Sequence, residues 1–393
     1  SSVVQWEYNA DGDDDLGYSY SQAYIVNSDT NAGWVVIFGN GYDSVNEKAV
    51  LYVLDAETGS VLRKLDTQVS GCNGLGSPAL VDGDSDGYVD CAYAGDLKGN
   101  MWKFDLSADS VDDWEIAYAE GGTPKPLVQV MNASGGQPIT VEPEVMKMSC
   151  APGMEGYLVF FGTGQYIGTE DFENASQQSF YGVWDWQANW PETEQKSKYL
   201  GNFVASDSSP VLSHAPTEAD SLTLLEQTTA TVSQDWRTNT DYQVDYFNPP
   251  DGDDDAETDH AGWYFNLVND RSRVIRNPTV RPGTGEDEGI VTFISSVPSE
   301  SPCAAGGSSW LYQVSACSGG RTSDPQFDVT GEGKIDEQDV INSQTTSGKS
   351  FEEMLYSPIQ VSDNLYLNDS TGDIKNVKID YSREGISYWR VIQ

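Results

Sequence analysis

The sequence predicts an all-β fold, a modified β-propeller that carries a long polar insertion. Three observations predict it: 38 Gly, 21 Tyr and 11 Trp are spread along 393 residues, helical periodicity is nearly absent, and one short strand-turn-strand unit recurs. Aromatic and β-branched residues favour strands, and glycine-bearing turns join them. Radial repetition of such units leaves few long sheet edges exposed, as a propeller requires.

The recurring unit is an apolar strand that ends in Asp, a short polar turn with Thr-Gly or Gly, and a second strand. Its copies lie at residues 49–65, 99–119, 308–324 and 364–380. Further strands, rich in aromatic and β-branched residues, are predicted at 33–41, 156–164, 180–186, 262–267 and 289–297. Two of these contain IFGNG and FFGTG, and this shared Phe-Gly-x-Gly pattern predicts equivalent corners of equivalent blades.

The chain is interpreted as a single propeller domain, residues 1–393, with one interruption. Residues 187–259 break the strand pattern, because they are polar, rich in Glu, Thr, Ser and Gln, and end in the acidic run PPDGDDDAETDH. A stretch with so few apolar residues does not build a core of its own. We therefore expect an irregular insertion carried on the propeller at about 187–259.

The charge of the chain excludes one class of partner and disfavours another. The chain has 62 acidic against 21 basic residues, which gives a formal net charge of -41 at pH 7. Such a field repels nucleic acid, and no basic patch with interleaved aromatic residues opposes it. An anionic membrane surface is disfavoured for the same reason, and no apolar run approaches the length of a bilayer-spanning helix. We expect neither a nucleic-acid partner nor a membrane span.

A short acidic loop, DGDSDGYVD at residues 82–90, is the strongest metal-binding signal. It places carboxylates at positions one, three, five and nine, a main-chain carbonyl at seven and Gly87 at six, which is the pattern of a Ca²⁺ loop. The predicted ligands are Asp82, Asp84, Asp86, the carbonyl of Tyr88, and Asp90. Its flanks, SPALV and YVDCAYAG, are strand-like, so the ion would join two strands rather than two helices.

A second loop, DVTGEGKIDEQD at residues 328–339, fits the same register less well. It offers Asp328, Thr330, Glu332, the carbonyl of Lys334, Asp336 and Asp339. Thr330 replaces a carboxylate or amide, and Asp339 has a shorter side chain than the Glu that usually ends such a loop. Two further acidic runs, at 9–15 and 251–259, lack a glycine at the turning position and are more typical of solvated surface.

Five cysteines predict disulfides rather than a zinc site, because none forms a CxxC pair and the two histidines lie far from them in sequence. Cys72 and Cys91 bracket the first loop, and Cys303 and Cys317 flank the strand WLYQV. Both spacings suit a bridge between neighbouring strands, which implies an oxidising, extracytoplasmic compartment. Cys150 is then left over. The alternative is a set of free thiols in a cytosolic protein.

The sequence contains few candidate catalytic residues. A nucleophilic triad would need His214 or His260, and no nucleophile elbow of the G-x-S-x-G kind is present. Paired carboxylates for glycoside hydrolysis depend on spatial separation, which a sequence does not show. We expect no enzymatic activity.

Many segments, in chain order, resemble the C-terminal domain of the PilY-type proteins of bacterial type IV pili. The longest is 74–107, and the others lie at 15–26, 33–44, 49–65, 158–172, 179–186, 306–320 and 327–336. The resemblance implies a propeller of about seven blades with PQQ-like blade motifs, located outside the cell at the pilus tip, or fimbrium, on minor pilins. It also implies adhesion to a surface or host-cell ligand and a role in pilus biogenesis.

In this family, calcium in the DxDxDGxxD loop is expected to tune pilus extension against retraction, and so twitching motility. Carried over by position, the ligands fall on the same five residues of the 82–90 loop. The DxSxS motif of the N-terminal region of full-length members and the Arg-Gly-Asp triplet of some members are absent here. Two alternatives stay open: a lectin-like glycan binder, and a quinone-dependent enzyme, whose class the LDAETG turn resembles.

Overall fold

A computed structural model describes residues 4–186, 196–214, 222–246, 259–283, 289–299 and 306–380. In these ranges nearly all regular structure is β-strand, with two short 3₁₀ helices, Val111–Asp113 and Thr169–Glu173. The strands form five larger sheets and one hairpin. None of the described helices is both long and apolar enough to cross a membrane.

The first two sheets follow one another along the chain. The first has four antiparallel strands: β1 Tyr24–Asn27, β2 Trp34–Gly39, β3 Val50–Asp55 and β4 Val61–Asp66. The second has seven: β5 Ala79–Val81, β6 Cys91–Gly95, β7 Asn100–Asp105, β8 Glu115–Ile116, β11 Val128–Asn132, β12 Gly135–Gly136 and β16 Asn202–Val204. The hairpin consists of β9 Tyr118–Glu120 and β10 Thr123–Lys125.

The remaining sheets use strands from the rest of the chain. The third has β13 Glu144–Lys147, β14 Tyr157–Gly162, β15 Ser179–Asp185, β17 Leu222–Glu226 and β20 Asp259–Asn266. The fourth has β18 Thr229–Thr231, β19 Trp236–Asn239, β21 Thr279–Arg281, β22 Ile290–Pro298, β23 Gly307–Ser315 and β24 Gly348–Phe351. The fifth has β25 Ile359–Val361, β26 Asn364–Asn368 and β27 Ile374–Lys378.

All five sheets have one edge of the same form. A strand of three or four residues (β1, β5, β13, β21 or β25) pairs antiparallel with the next strand of the chain. This repetition, with consecutive strands side by side, confirms the predicted all-β propeller architecture. The number of blades stays a prediction, because parts of the chain lie outside the described residues.

The Phe-Gly-x-Gly pattern marks equivalent corners, as predicted. Gly39 ends β2 and Gly162 ends β14, the second strands of the first and third sheets. A Cβ atom on Gly39 would lie 2.0 Å from the carbonyl oxygen of Gly76, and one on Gly162 would lie 2.3 Å from the Cβ of Val274. Each glycine is required because the chain that enters the next sheet crosses directly over it.

The recurring Asp organises the turn that follows its strand. Asp55 Oδ1 accepts hydrogen bonds from the Thr58 N–H at 2.6 Å, the Thr58 hydroxyl at 2.8 Å and the Glu57 N–H at 3.0 Å. Asp369 Oδ1 makes the same pattern with Thr371 and the Asp373 N–H. An aspartate that bonds its own downstream backbone stabilises a tight turn, so the Asp and Thr of the repeat are structural.

Aromatic side chains fill the core between sheets. Phe180 of the third sheet stacks on Phe293 of the fourth with ring centroids 3.8 Å apart, and Phe293 stacks on Tyr312 at 4.9 Å. Trp102, Trp184 and Trp263 are almost fully buried. Burial of one large apolar side chain contributes about 1.5–3 kcal/mol, so these contacts are a principal force that holds neighbouring sheets together.

The described parts of the segment 187–259 contain strands, whereas the sequence predicted an irregular insertion. These parts, 196–214 and 222–246, supply β16, β17, β18 and β19. β16 pairs parallel with β11, and β17 pairs parallel with β20. Several apolar side chains of these parts, among them Leu200, Phe203, Leu222 and Leu224, are buried. The segment needs no core of its own, because it adds strands to sheets that already have one.

The predicted disulfide pairs are wrong. Cys150 bonds Cys317, with Cα atoms 5.3 Å apart, and this bond connects the loop after β13 to the turn after β23. Cys72 and Cys91 are free, one exposed and the other buried. Cys303 lies outside the described residues. The Cys72–Cys91 pair predicted from sequence proximity does not form, because Cys91 points into the core from β6, whereas Cys72 lies in an exposed turn beside Glu47.

A buried ion pair connects the second and third sheets. Lys103 Nζ of β7 lies 2.7 Å from Asp185 Oδ2 of β15, and the hydroxyls of Tyr93 and Tyr118 donate to the same carboxylate. We call these four residues the junction cluster. Burial favours the neutral form of Asp185, but the Lys103 charge and the hydrogen bonds outweigh it and hold the pKa of this carboxyl below its ordinary value.

Removal of the disulfide should destabilise the chain. The Cys150→Ala/Cys317→Ala variant should lose about 2–4 kcal/mol of unfolding free energy, because the bond closes a loop with a sequence separation of 167. Urea unfolding followed by fluorescence measures the loss. Cys72→Ala, which removes an exposed free thiol, is the control and should stay within about 0.5 kcal/mol of the parent. Equal stability of both variants would contradict a stabilising bond.

Loss of one partner of the junction cluster should lower the free energy of unfolding more than loss of the disulfide does. Asp185→Asn leaves the Lys103 ammonium buried without its counter-charge, and we expect a loss of about 3–5 kcal/mol in the same urea assay. The control is Glu115→Gln, which removes an exposed pair with Lys196 and should cost less than about 1 kcal/mol. Similar small losses for both variants would show that the buried pair does not hold the two sheets together.

Candidate metal centre

The loop 82–90 connects two paired strands, as the flanking sequence predicts. β5 ends at Val81 and β6 begins at Cys91, and these two residues are register partners in the antiparallel pair. The Asp90 N–H donates to the Val81 carbonyl at 2.9 Å, which closes the base of the loop. The loop is therefore a strand-to-strand connection with no helix on either side.

Three predicted ligands converge. Asp82, Asp84 and Asp86 each place one carboxylate oxygen within 4.8 Å of the others, and all three side chains are exposed. Carboxylates this close repel one another unless a cation neutralises them. All-oxygen donors of this charge suit a hard divalent cation such as Ca²⁺ and disfavour the softer metals that prefer nitrogen or sulfur.

Asp82 shapes the loop as well as facing its centre. Its Oδ1 accepts the Ser85 N–H at 2.6 Å and the Asp86 N–H at 3.2 Å, and its Oδ2 accepts the Gly87 N–H at 2.9 Å. Gly87 has a φ of 93°, the left-handed region that favours glycine, at the sixth position where the pattern requires it. Main-chain N–H donors thus hold the acidic side chain of Asp82 in its position in the loop.

The two remaining predicted ligands lie at the base of the loop. Asp90 is half-buried, and its Oδ2 accepts the Gly83 N–H at 2.6 Å. Burial raises the pKa of the Asp90 carboxyl, and the negative charges of Asp84 and Asp82 act in the same direction. Tyr88 donates its N–H to Asp86 Oδ1 at 2.9 Å. With the Tyr88 carbonyl, these residues fit the donor set of a Ca²⁺ loop.

The second loop folds around its first aspartate in the same way. Asp328 Oδ1 accepts the Gly331 N–H at 2.6 Å and the Glu332 N–H at 3.2 Å, and Oδ2 accepts the Gly333 N–H at 2.7 Å. This is the pattern that Asp82 makes in the first loop. The shared register at the first and sixth positions therefore produces the same backbone turn.

Two acidic side chains of the second loop are paired with a lysine of the same loop. Lys334 Nζ lies 3.1 Å from Glu332 Oε1 and 2.5 Å from Asp336 Oδ2. The hydrogen bond from Lys334 is the largest cause that lowers the pKa of Asp336. Asp339 is fully buried, and its oxygens accept main-chain N–H groups of Val329, Thr330 and Asp336. No three acidic side chains of this loop, which the structure describes in full, bring their carboxylate oxygens together as Asp82, Asp84 and Asp86 do.

The other sequence candidates have structural partners. In the run 9–15, Asp13 and Asp15 lie 2.5 and 3.1 Å from Lys64 Nζ, and the Tyr52 hydroxyl donates to Asp13. Residues 251–258 of the other run lie outside the described residues. His214 and His260 are each hydrogen-bonded to a main-chain carbonyl oxygen, so the described contacts place neither imidazole beside a nucleophile.

One residue near the site has no signal in the sequence. Tyr157 opens β14 of the third sheet, yet its hydroxyl lies against Gly83 of the loop. Only the packing of one sheet against the next brings these two residues together, so no spacing rule finds Tyr157.

Comparisons with known proteins identify relatives of this chain. The family model described as the PilY1 beta-propeller domain matches residues 6–201. The type IV pilus biogenesis factor PilY1 of Pseudomonas aeruginosa PAO1 is 31% identical over 414 residues, which cover 99% of this chain and 33% of that protein. A PilY1 homolog of Xylella fastidiosa is 35% identical over 338 residues, with 81% of this chain and 20% of that protein covered.

The chain therefore spans a third or less of the length of these relatives. The crystal structure of the Pseudomonas aeruginosa PilY1 C-terminal domain superposes with a TM-score of 0.70 at 28% identity, and the match covers 96% of this chain and 74% of that one. Sequence and fold thus agree along almost the whole chain, which belongs to the PilY1 β-propeller domain family.

Proposed function

We propose that this chain is a calcium-binding, non-enzymatic propeller module that acts in type IV pilus biogenesis. The observation that carries the proposal is the convergence of Asp82, Asp84 and Asp86 in a loop of the DxDxDG pattern. The pattern alone predicted the site, and the same three side chains meet in the folded chain. The proposed ligands are these carboxylates, Asp90 and the Tyr88 carbonyl.

The role in the pilus is proposed from the relatives. Proteins that align with 99% and 81% of this chain are named type IV pilus biogenesis factors. The chain spans only part of each relative. We therefore propose for it the role of one domain and not the function of the whole protein. The proposed location is extracellular, at the pilus tip, with minor pilins and a surface or host-cell ligand as partners. The Cys150–Cys317 bond supports an oxidising compartment.

Calcium would act on this module as a two-state switch. Bound calcium supplies positive charge at the centre of the loop. The chain itself holds the acidic side chains in place, because main-chain N–H groups donate hydrogen bonds to the carboxylates of Asp82 and Asp86. An ion shifts an equilibrium only by its difference in affinity for the two states. The proposed consequence is a change in contacts with pilins or with surface ligands, and so in extension, retraction, twitching and adhesion.

No turnover is part of the proposal. Two sets of polar groups have structural roles: the junction cluster pairs its charges, and the repeated aspartates hold turns. The proposed work of the module is to bind and to respond to calcium.

The proposal predicts calcium binding that depends on the first loop. Isothermal titration of the chain with Ca²⁺ should give binding heat, and Asp84→Asn should weaken the affinity at least about tenfold, because the variant removes one ligand charge and preserves the size of the side chain. The matched control is Asp328→Asn in the second loop, where Lys334 already pairs with Glu332 and Asp336. That variant should retain the parent heat. No binding heat in the parent chain would refute the proposed function.

Calcium should also stabilise the fold. At a free calcium concentration about 100 times the Kd, the gain is about 2.7 kcal/mol, seen as a rise in Tm that chelator reverses. Asp84→Asn should lose most of that rise, and its Tm in chelator should not fall below that of the parent, because the change lowers repulsion between carboxylates. An equal calcium-dependent rise in parent and variant would place the ion elsewhere.

A further inference from the structure

Gly83 of the calcium loop has a reason to be glycine that the loop pattern does not supply. It holds the second position, whereas the pattern calls for glycine at the sixth. Its φ lies outside the left-handed region. A Cβ atom at Gly83 would lie only 2.3 Å from the Tyr157 hydroxyl oxygen and 3.3 Å from Asp90 Oδ2. Gly83 is therefore needed to make space for a side chain of the neighbouring sheet.

Tyr157 connects the loop to the junction cluster. Its ring packs edge-on against the ring of Tyr93, with centroids 6.5 Å apart. The Tyr93 hydroxyl donates to Asp185, and Lys103 Nζ lies 5.6 Å from the centroid of the Tyr93 ring. A continuous row of contacts thus runs from Gly83 to the buried ion pair that joins the second and third sheets.

The loop side of this contact includes a proposed calcium ligand. Asp90 Oδ2 accepts the Gly83 N–H at 2.6 Å, so the main chain at Gly83 fixes the orientation of the Asp90 carboxylate. A contact that fixes the main chain at Gly83 therefore also fixes the Asp90 carboxylate. Tyr157 is the residue of the third sheet that lies against Gly83, and the described part of the chain offers its hydroxyl no hydrogen-bond partner within the fold.

We propose that Tyr157 is a positioning residue for the calcium loop and that calcium binding and closure of the junction between the second and third sheets stabilise one another. The inference rests on the proposed calcium function and adds that calcium binding acts on the junction between the second and third sheets. Coupling of two sites is reciprocal, so a change that loosens the Tyr157 contact lowers calcium affinity, and calcium in turn protects the junction.

Two variants test the contact from opposite sides. Tyr157→Phe removes only the hydroxyl, and Gly83→Ala places a methyl group where that hydroxyl lies. Both should weaken calcium affinity about three- to tenfold in the titration, the size of an ordinary coupling between sites. The control is Tyr20→Phe, an exposed tyrosine of the first sheet region, which should bind as the parent does.

The buried Cys91 thiol reports on the junction. It follows Asp90 directly and packs in the same hydrophobic cluster as Tyr93, so a thiol reagent reaches it only when the junction opens. In a Cys72→Ser background, labelling of Cys91 is followed by mass spectrometry of its peptide. Calcium should slow the labelling in the parent, and this protection should shrink in Tyr157→Phe and Gly83→Ala but not in Tyr20→Phe.

The outcomes separate the two proposals. Calcium binding in the parent, with unchanged affinity and Cys91 protection in both variants, overturns the coupling and leaves the calcium function standing. Variants whose Tm in chelator falls and whose Cys91 labels faster by the same factor with and without calcium show a purely structural contact, which also overturns it. Absence of binding in the parent removes the calcium function and the coupling together.

Discussion

The ion pair between Lys103 and Asp185 is the interaction on which the arrangement of the second and third sheets depends. It joins β7 to β15 with Asp185 fully buried and Lys103 largely buried, and the hydroxyls of Tyr93 and Tyr118 complete the shell of Asp185. Two charges taken out of water are tolerated only when they stay paired and hydrogen-bonded. The sheets on either side therefore have one favoured relative position, and aromatic stacking and the Cys150–Cys317 bond continue that order into the fourth sheet.

The loop 82–90, the proposed calcium site, lies at the edge of this junction. It belongs to the second sheet, but Tyr157 of the third sheet occupies the space beside Gly83. A loop that touched only its own sheet would change little beyond itself when an ion binds. Under the proposed calcium function, its position at a boundary between sheets would let a small local change, the neutralisation of three converging carboxylates, act on a larger part of the propeller.

The two acidic loops show how much of a site a motif specifies. Asp82 and Asp328 make the same hydrogen bonds, because the spacing of Asp and Gly dictates the turn. The charge balance differs, because Lys334 projects back onto its own loop and Asp339 is buried beneath it. The first loop therefore brings three carboxylates together in a centre suited to a cation, whereas in the second loop Lys334 already pairs with Glu332 and Asp336. A register predicts the backbone of such a loop, and the side chains around it decide what the loop binds.

The sequence by itself determined the strands, the glycine corners, the aspartate-held turns and the converging carboxylates of 82–90, because each depends on residues near one another in the chain. Tertiary structure alone decided what depends on contacts between distant segments. It paired Cys150 with Cys317, placed the polar segment after residue 196 as strands on existing sheets, and brought Tyr157 to Gly83. Local spacing fixes turns and strand faces, whereas the packing of sheet on sheet selects which distant side chains meet.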